Sequence, residues 1–587
     1  MTRDEALARL TGPGEPYELE EVTALGRRSR VFRNAPPSLR ALYEDNATDA
    51  DFLVYETERL TYAETWARAQ RLAAWLAAEA GVRPGDRVAI AMRNYPEWII
   101  AFEAVTSMGA IAVALNALWA PQELAFGLND CGARVMIADA ERLGRWRAAG
   151  GQGVRLVGVR LPAAEAGVTG WDEIMGAGDP AGPVPGDPRP DDDATILYTS
   201  GSTGHPKGVV STHRNILNAL LSWELDVKIA ELLGGLPAAA PVAQPAALLA
   251  IPLFHVTGLH AVCLSTFRAQ RKLVTMYRWN PQAAAELIVR EQISQINAPS
   301  AVTADLLDYA RRHRIELPSL RIVGGGGAAR APEQVLAIPQ VFPAALPVTG
   351  WGMTETNAIG AGIRGRDYLE HPGSVGHASA VLDLRVRNDG DDPDAPGELL
   401  VRGASVMRGY WGRPDADAEA FDGEWLRTGD IARIDADGYV WIVDRLKDLI
   451  IRGGENIACA AVEAALLEHP AILEAAVFAV PDERLGETVG AALYADAPLR
   501  AEDIRRFLEG RLARFQIPER LWAHDGPLPR TASGKLFKHG VRDAVLGGSP
   551  AYRSLDPPGS EAAAPLAGMA IARGPAGPSR EGATTCP

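Results

Sequence analysis

Cysteine is scarce in this 587-residue sequence. The four present, Cys131, Cys263, Cys459 and Cys586, stand far apart, and no two have the spacing of a metal-binding or redox pair. Neither a thiolate metal centre nor a disulfide framework is expected, and a reducing, cytoplasmic setting suits the chain. Positive charge is also in deficit: 59 Lys and Arg against 74 Asp and Glu leave a formal charge of −15. Nucleic acid is therefore not an expected partner, because binding it takes clustered cations that displace counterions. Nucleotides remain open, since one pocket can be locally positive inside an acidic protein. No run of residues reads as a membrane span. Residues 98–115 are marginal in length, contain Glu103, and read as a helix ending near Gly109 followed by a buried strand over 110–114. Residues 232–254 are uncharged but hold Pro237, Pro241, Pro245 and Pro252, which would break a spanning helix. They read as a loop. Residues 1–10 carry Asp4 and Glu5 and lack an apolar core, so no secretory leader is expected there. No internal repeat is visible.

What is present suits a globular protein, with 47% hydrophobic and 23% charged residues. A single core stops growing at about 250–300 residues, so two or more domains are expected. Residues 1–34 are polar and read as a short helical lead-in. Beyond them, helical periodicity alternates with short apolar runs: a helix over 62–78, a strand over 87–92, a helix opened by Asn94-Tyr95-Pro96, and a buried strand over 133–138. Strands separated by helices imply parallel sheets built from βαβ units. A Gly/Pro/Asp-rich loop, 176–193, leads into a strand over 195–198, and the alternation resumes over 249–350. Short strands over 381–387, 397–402 and 439–443 suit a small β-rich subdomain. Residues 447–543 form a compact region with a helix over 460–468 and a strand over 473–480. The expected class is α/β: a large N-terminal domain over 35–444, made of parallel-rich sheets plus the β-rich subdomain, then a small α+β C-terminal domain over 445–546. The tail 547–587, rich in Gly, Pro, Ala and Ser, is expected to be disordered.

The strand over 195–198 runs into Thr199-Ser200-Gly201-Ser202-Thr203-Gly204-His205-Pro206-Lys207-Gly208. Glycines let backbone N–H groups approach a phosphate, hydroxyls add donors, and Lys207 adds charge. It is not a Walker A loop, which needs Gly directly before the Lys, where Pro206 stands. The order of residues from Tyr198 to Gly208 resembles the signature loop of the adenylate-forming superfamily, which holds acyl-CoA synthetases, luciferases and peptide-synthetase adenylation domains. Further motifs follow in that family's order: Gly350-Trp351-Gly352-Met353-Thr354-Glu355, Thr428-Gly429-Asp430, Asp444-Arg445-Leu446-Lys447-Asp448 and Pro529-Arg530-Thr531-Ala532-Ser533-Gly534-Lys535. The resemblance covers roughly residues 35–545 and runs most to bacterial fatty acid–CoA ligases.

That resemblance implies an enzyme that joins a carboxylic acid to the α-phosphate of ATP, releases pyrophosphate, and then passes the acyl group to coenzyme A with release of AMP. It implies that Thr199, Ser200, Gly201, Ser202, Thr203, Gly204 and Lys207 hold the β- and γ-phosphates, that Thr354 contacts phosphate, and that Glu355 carries Mg²⁺. One Glu suffices, because Mg²⁺ takes one or two carboxylates plus phosphate oxygens. Asp430 is placed on the ribose hydroxyls, with Arg445 as a second contact. The loop 324–328 resembles the family's segment along the adenine and the acyl pocket, so Gly326, Gly327 and Ala328 join Gly352 and Met353 as nucleotide contacts. Read alone, Gly324-x-Gly326-x-x-Ala329 weakly matches a dinucleotide fingerprint, but no acidic residue stands suitably about 20 residues on. Trp351 is either a ring stacked on adenine or a core aromatic. Lys535 is assigned to the first half-reaction, its ammonium bridging the acid carboxylate and the α-phosphate. His255, in Pro252-Leu253-Phe254-His255-Val256-Thr257-Gly258, either borders the acyl and thiol channel or packs in the core. The family's C-terminal domain swings between two poses. Lys447 matches its hinge, and Gly453 and Gly454 match the loop that approaches the pantetheine arm, where the missing Cβ makes room. Cys459 and Ala461 depart from the family, in which Pro and Glu are common there.

The acyl pocket is expected from 255–259, 297–303 and 324–328, with Val256, Ala298, Ser300 and Gly325 among its lining. These residues are mostly small, and no obvious charged residue awaits a polar substrate tail. This favours a medium- or long-chain apolar acid, with aryl and steroid side-chain acids left open. Delivery to a carrier protein is the alternative to coenzyme A. A nucleotide-binding pseudoenzyme is a third reading, against which Lys535, Glu355 and Asp430 argue. The uncharged stretch 232–254 is a candidate for peripheral contact with a membrane surface; a loop packed on its own protein is the plainer reading.

Overall fold

The computed structural model describes residues 1–177, 184–199, 206–234, 244–327, 330–388, 395–446, 448–452, 455–482, 484–531 and 534–556. The chain forms two compact units, Met1–Leu449 with Arg530–Leu536, and Ile450–Pro529 with the residues from Phe537 onward.

Two large sheets with parallel centres make up most of the first unit. One runs in the order Gly409–Tyr410, Lys207–Thr212, Asp193–Thr199, Ile111–Ala114, Arg87–Ala91, Val135–Asp139, Arg155–Val159, Val168–Gly170, and is parallel from Asp193–Thr199 onward. Its central strands are apolar on both faces. In Arg87–Ala91, Val88 and Ile90 enter one hydrophobic cluster while Ala89 and Ala91 enter another. A strand buried on both sides has no polar face to alternate with, so such strands appear as short apolar runs. The helix Pro96–Ser107 starts on a proline that fits its first turn, and Gly109, at φ +75°, turns the chain into Ile111–Ala114.

The other large sheet runs in the order His377–Ala378, Ala361–Arg364, Leu346–Trp351, Ile322–Gly324, Gln295–Asn297, Ala246–Leu249, Lys272–Thr275, Asp51–Tyr55, Glu58–Thr61. It is parallel from Leu346–Trp351 through Asp51–Tyr55. This corrects the reading of 232–254 as a loop. The helix His213–Leu232 ends on its first residue, and Ala246–Leu249 is an interior strand with every residue buried. The stretch is uncharged there because it crosses the middle of a sheet, and residues 246–249 are not available to a membrane surface. Residues 235–243 lie outside the described residues. No helix among the described residues is long and apolar enough to cross a membrane.

The lead-in also differs from expectation. After the helix Arg3–Thr11, held by a capping box between Thr2 and Glu5, comes an antiparallel ribbon of Leu19–Ala24 and Arg27–Phe32. Its charges face each other across the ribbon: Glu21 stands opposite Arg30 and pairs with Arg28 at 2.6 Å. A pair of strands joined by opposite charges leaves little hydrophobic signal in the sequence. A smaller antiparallel sheet contains Leu382–Arg387, Gly397–Gly403, Trp425–Ile434, Phe421–Asp422 and Val440–Arg445.

In the second unit the strands Ile472–Asp482 and Gly486–Ala495 pair antiparallel. Ile450–Arg452, Glu455–Ile457, Arg520–His524 and Tyr552–Ser554 extend that sheet. The helices Cys459–Leu467 and Ala501–Leu508 contribute Val462, Leu466, Ile504 and Leu508 to its core. The tail expected to be disordered from residue 547 begins with order, since Tyr552–Ser554 pairs with Arg520–His524. Residues 557–587 lie outside the described residues. The architecture is α/β, with a large sheet-rich N-terminal part and a smaller C-terminal part.

Candidate functional site

The glycine-rich turn is held at both ends by strand pairing. Asp193–Thr199 and Lys207–Thr212 run antiparallel, with Thr199 opposite Lys207. Ser200, Gly201, Ser202, Thr203 and Gly204 lie outside the described residues. A strand follows the turn, and helix begins only at His213. The described residues flanking the turn therefore give it Thr199 and Lys207 and no helix N-terminus. On one flank the Tyr198 hydroxyl donates to the Asp130 carboxylate at 2.7 Å. On the other, the Lys207 ammonium stands 5.2 Å from the centre of the Tyr410 ring, whose hydroxyl donates to Glu355 Oε1 at 2.9 Å.

Glu355 lies in the single 3₁₀ turn Thr354–Thr356, preceded by Met353. Its backbone carbonyl accepts from the Met407 N–H at 2.8 Å. The turn is tight. Asn357 and Ala358 follow with φ of +57° and +66°, and a Cβ on Gly352 would meet the Ala358 backbone at 2.5 Å. Only glycine fits at position 352 without moving that backbone. Glu355 is 7% exposed. Burial pushes its pKa above the usual carboxylate range, while the Tyr410 hydrogen bond and the Arg445 charge pull it back. A carboxylate in that condition gains much from a cation.

Asp430 and Arg445 face each other across the pairing of Trp425–Ile434 with Val440–Arg445. Arg445 Nε stands 3.0 Å from Asp430 Oδ1, and the Trp351 indole N–H donates to Asp430 Oδ2 at 2.8 Å. Both oxygens of a 3% exposed carboxylate are thus held in orientation, each with acceptor capacity left. The Trp351 ring itself is buried in a hydrophobic cluster, and a Cβ on Gly360 would lie 2.2 Å from it.

Lys535 meets the glycine loop directly. Gly327, at φ +75°, could not carry a Cβ without placing it 2.8 Å from Lys535 Cε and 3.0 Å from Nζ. Burial and then the Arg445 charge bring the Lys535 pKa down to about 8, against an opposing pull from Asp430 and Glu355. The backbone N–H of Lys535 donates to the Thr531 hydroxyl at 3.2 Å, which orients the segment.

His255 packs beside Phe254, with ring centres 4.7 Å apart. Burial and then the nearby Lys535 charge drive its pKa down to about 3, so it is neutral at physiological pH. Its Nε2 is buried without a partner among the described residues. Val256 is buried, and the chain then forms a π-helix over Thr257–Leu264, a form frequent near functional sites. Gly258 allows that winding: a Cβ there would meet the Pro252 carbonyl oxygen at 2.3 Å. Ala298 is buried, Ser300 opens the helix Ser300–His313, and Asn297 lies over Gly324. Gly326 is open, with the Gly350 carbonyl oxygen 3.9 Å from where its Cβ would be. Ala328, Lys447, Gly453 and Gly454 lie outside the described residues.

Beside Gly325 lies a charged side chain that the sequence reading did not single out: Arg330, 9% exposed, donates to the Thr303 hydroxyl at 2.9 Å. Nothing in the sequence separates it from a surface arginine after a turn. Tyr410 was missed for a similar reason, because its bond to Glu355 follows from the pairing of Gly409–Tyr410 with Lys207–Thr212.

The sequence profile described as AMP-binding enzyme matches residues 42–411, and that of the AMP-binding enzyme C-terminal domain matches 461–535, ending on Lys535. The chain belongs to the AMP-binding enzyme family. This AMP-binding enzyme is 33% identical over 536 residues to the long-chain-fatty-acid–CoA ligase FadD13 of Mycobacterium tuberculosis, covering 88% of this chain and 98% of that one. It is 36% identical over 495 residues to a feruloyl-CoA synthase of Amycolatopsis sp., covering 82% and 93%. Among solved structures it is similar to the o-succinylbenzoate coenzyme A synthetase of Bacillus subtilis in complex with ATP and magnesium ion, with a TM-score of 0.72, 29% identity, and coverage of 86% and 99%.

Proposed function

We propose that this AMP-binding enzyme converts an organic acid and ATP to an acyl-adenylate and pyrophosphate, then transfers the acyl group to coenzyme A with release of AMP. The observation that carries it is the position of Lys535, an ammonium lying on Gly327 within the electrostatic reach of Asp430, Arg445 and Glu355. In the first step a carboxylate oxygen of the acid bonds to the α-phosphorus and the bond to pyrophosphate breaks. Two anions must meet, and Lys535 offsets their repulsion where charge builds up. Thr199, Lys207 and the turn between them hold the outgoing phosphates, with Thr354 beside them. Asp430 receives the ribose hydroxyls, oriented for that task by Trp351 and Arg445.

Glu355 fits Mg²⁺, being a buried carboxylate with one oxygen held by Tyr410. Bound there, the ion would neutralise phosphate charge. Tyr410 keeps the Glu355 carboxylate in one orientation, and Lys207 lies over the same ring. In the second step the thiol sulfur of coenzyme A bonds to the acyl carbon, its proton passes to solvent, and AMP leaves with the electron pair of the broken mixed anhydride. His255 is neutral and serves as a wall of the acyl channel rather than as a base. The buried apolar side chains of Val256 and Ala298 suit an acid with an apolar body, alkyl or aryl, and the relatives include enzymes named for long-chain fatty acids and for ferulate.

The test is release of pyrophosphate and AMP from ATP and Mg²⁺ over a broad panel of acids, with and without coenzyme A. Acid-dependent pyrophosphate release, with AMP turnover that requires coenzyme A, supports the whole reading. Pyrophosphate release that coenzyme A does not accelerate removes the acceptor. Silence across the panel removes the adenylation step.

A further inference from the structure

A buried charge with no counter-charge is costly, and natural proteins seldom keep one without a use. Among the described residues Arg330 is such a charge. Its Nη2 donates to the Thr303 hydroxyl at 2.9 Å and to the Gly324 carbonyl at 3.3 Å. Its Nη1 is buried with no acceptor among the described residues. Burial pulls its pKa down, and the titratable neighbour that acts on it among the described residues is Tyr368, a phenol whose own pKa burial pushes up. The guanidinium therefore has two neutral partners and one unused donor group.

Two sets of contacts tie this position to the reacting end of the site. A Cβ on Gly325 would stand 2.9 Å from Arg330 Nη2, just as a Cβ on Gly327 would stand 2.8 Å from Lys535 Cε. One glycine loop thus carries two cations, on residues whose Cα atoms are at most about 7 Å apart. On the other side, Thr303 accepts from Arg330 while its neighbour Val302 lies 2.9 Å from where a Cβ on Gly534 would be. Gly534 directly precedes Lys535.

We propose that Arg330 is a specificity-determining residue that pairs with a second carboxylate on the substrate, so that this enzyme activates one end of a dicarboxylic acid while Arg330 holds the other. The proposal rests on the adenylation reading and names the substrate class within it. A guanidinium presents a planar fork that matches a carboxylate, and an acid lacking the second carboxylate would leave the fork buried and unpaired. Sites built around such a group discriminate strongly against analogues that lack it.

The measurement is kcat/KM for pyrophosphate release from matched acids: succinate, adipate and sebacate against butyrate, hexanoate and decanoate. It is made on the full-length wild-type protein, on Arg330→Met and on Thr303→Val. We expect the wild type to favour at least one dicarboxylate over its partner by on the order of 10²-fold. Arg330→Met should collapse that ratio while retaining turnover of the monocarboxylate, and Thr303→Val, which frees the guanidinium from one tether, should lower it in part. A wild type that uses monocarboxylates as well as or better than their partners overturns the proposal whether or not the variants fold. So does a ratio unchanged in a folded Arg330→Met. Absence of pyrophosphate from every acid tested strikes the adenylation reading itself, an outcome separable from the others.

Discussion

Replacing Glu103 by Gln should stabilise the first unit by an amount that grows with pH. Glu103 sits in the helix Pro96–Ser107, 1% exposed, and neither carboxyl oxygen has a partner among the described residues. Burial drives its pKa well above the ordinary 4.5, and the groups coupled to it, Tyr43, Tyr62 and Cys263, bring no positive charge. Below the ordinary value both folded and unfolded chains are protonated. The cost of burial is then that of a neutral polar group, which Gln shares. Above it the unfolded chain gains by ionising and the folded chain does not. The folded state then loses about 1.4 kcal/mol per pH unit until its own raised pKa is reached.

Between about pH 5.5 and about pH 7.5, for as long as the folded carboxyl stays protonated, each pH unit adds about 1.4 kcal/mol to the relative gain of the Gln variant. With an unfolding entropy of about 2 cal/mol/K per residue over a unit of about 450 residues, that is on the order of 1.5 °C in Tm per pH unit. The assay is thermal unfolding of wild type and Glu103→Gln at matched ionic strength across this range. The gap between the two should widen in favour of the variant as pH rises. A gap that stays constant, or a wild type that gains on the variant, would show that Glu103 ionises in the folded protein and would refute the account of its surroundings.

The remaining expectations concern the site. Lys535→Ala should slow acyl-adenylate formation by about 10²-fold or more while sparing thioester formation from supplied acyl-adenylate; equal loss of both steps speaks against the assigned role. Because the Lys535 pKa is lowered to about 8, the ammonium is present below that value and lost above it. The adenylation kcat/KM of free enzyme should therefore fall as pH rises through 8, and a limb that persists in Lys535→Ala would assign it elsewhere. Trp351→Phe removes one hydrogen bond to a charged carboxylate, about 1.5–3 kcal/mol, and should raise the KM for ATP by about tenfold or more with little change in kcat. An unchanged KM would mean that Asp430 does not need that donor. Tyr410→Phe should raise the Mg²⁺ concentration needed for half-maximal rate several-fold; the same Mg²⁺ dependence in both proteins would remove Tyr410 from the Glu355 site.

Much of the fold was legible because both large sheets consist of short apolar runs between helices, as where the helix Pro96–Ser107 precedes the strand Ile111–Ala114. The family was legible for another reason. The groups that handle phosphate, ribose and carboxylate sit in short contiguous strings, such as Thr428-Gly429-Asp430 and Ser533-Gly534-Lys535. What stayed hidden was set by register and packing between distant segments. Trp351 meets Asp430 and Tyr410 meets Glu355 only because particular strands pair, and no local pattern announces either bond. The strand Ala246–Leu249 was lost inside a proline-rich stretch because four buried residues carry no periodicity to read.

Arg330 shows where the limit lies. An arginine after Gly-Gly-Ala-Ala carries no mark of burial, and composition assigns it to the surface. Its placement follows from the glycines before it. Gly325 and Gly327 each lack the Cβ that would displace a cation, so the run that looked like a nucleotide loop also serves as a seat for two positive charges. The same absence of side chains that lets a backbone approach a ligand lets a guanidinium and an ammonium approach the backbone. Small residues around an expected acyl pocket therefore do not by themselves argue that it is apolar, because the room they leave can also admit a charge from a residue just outside the motif.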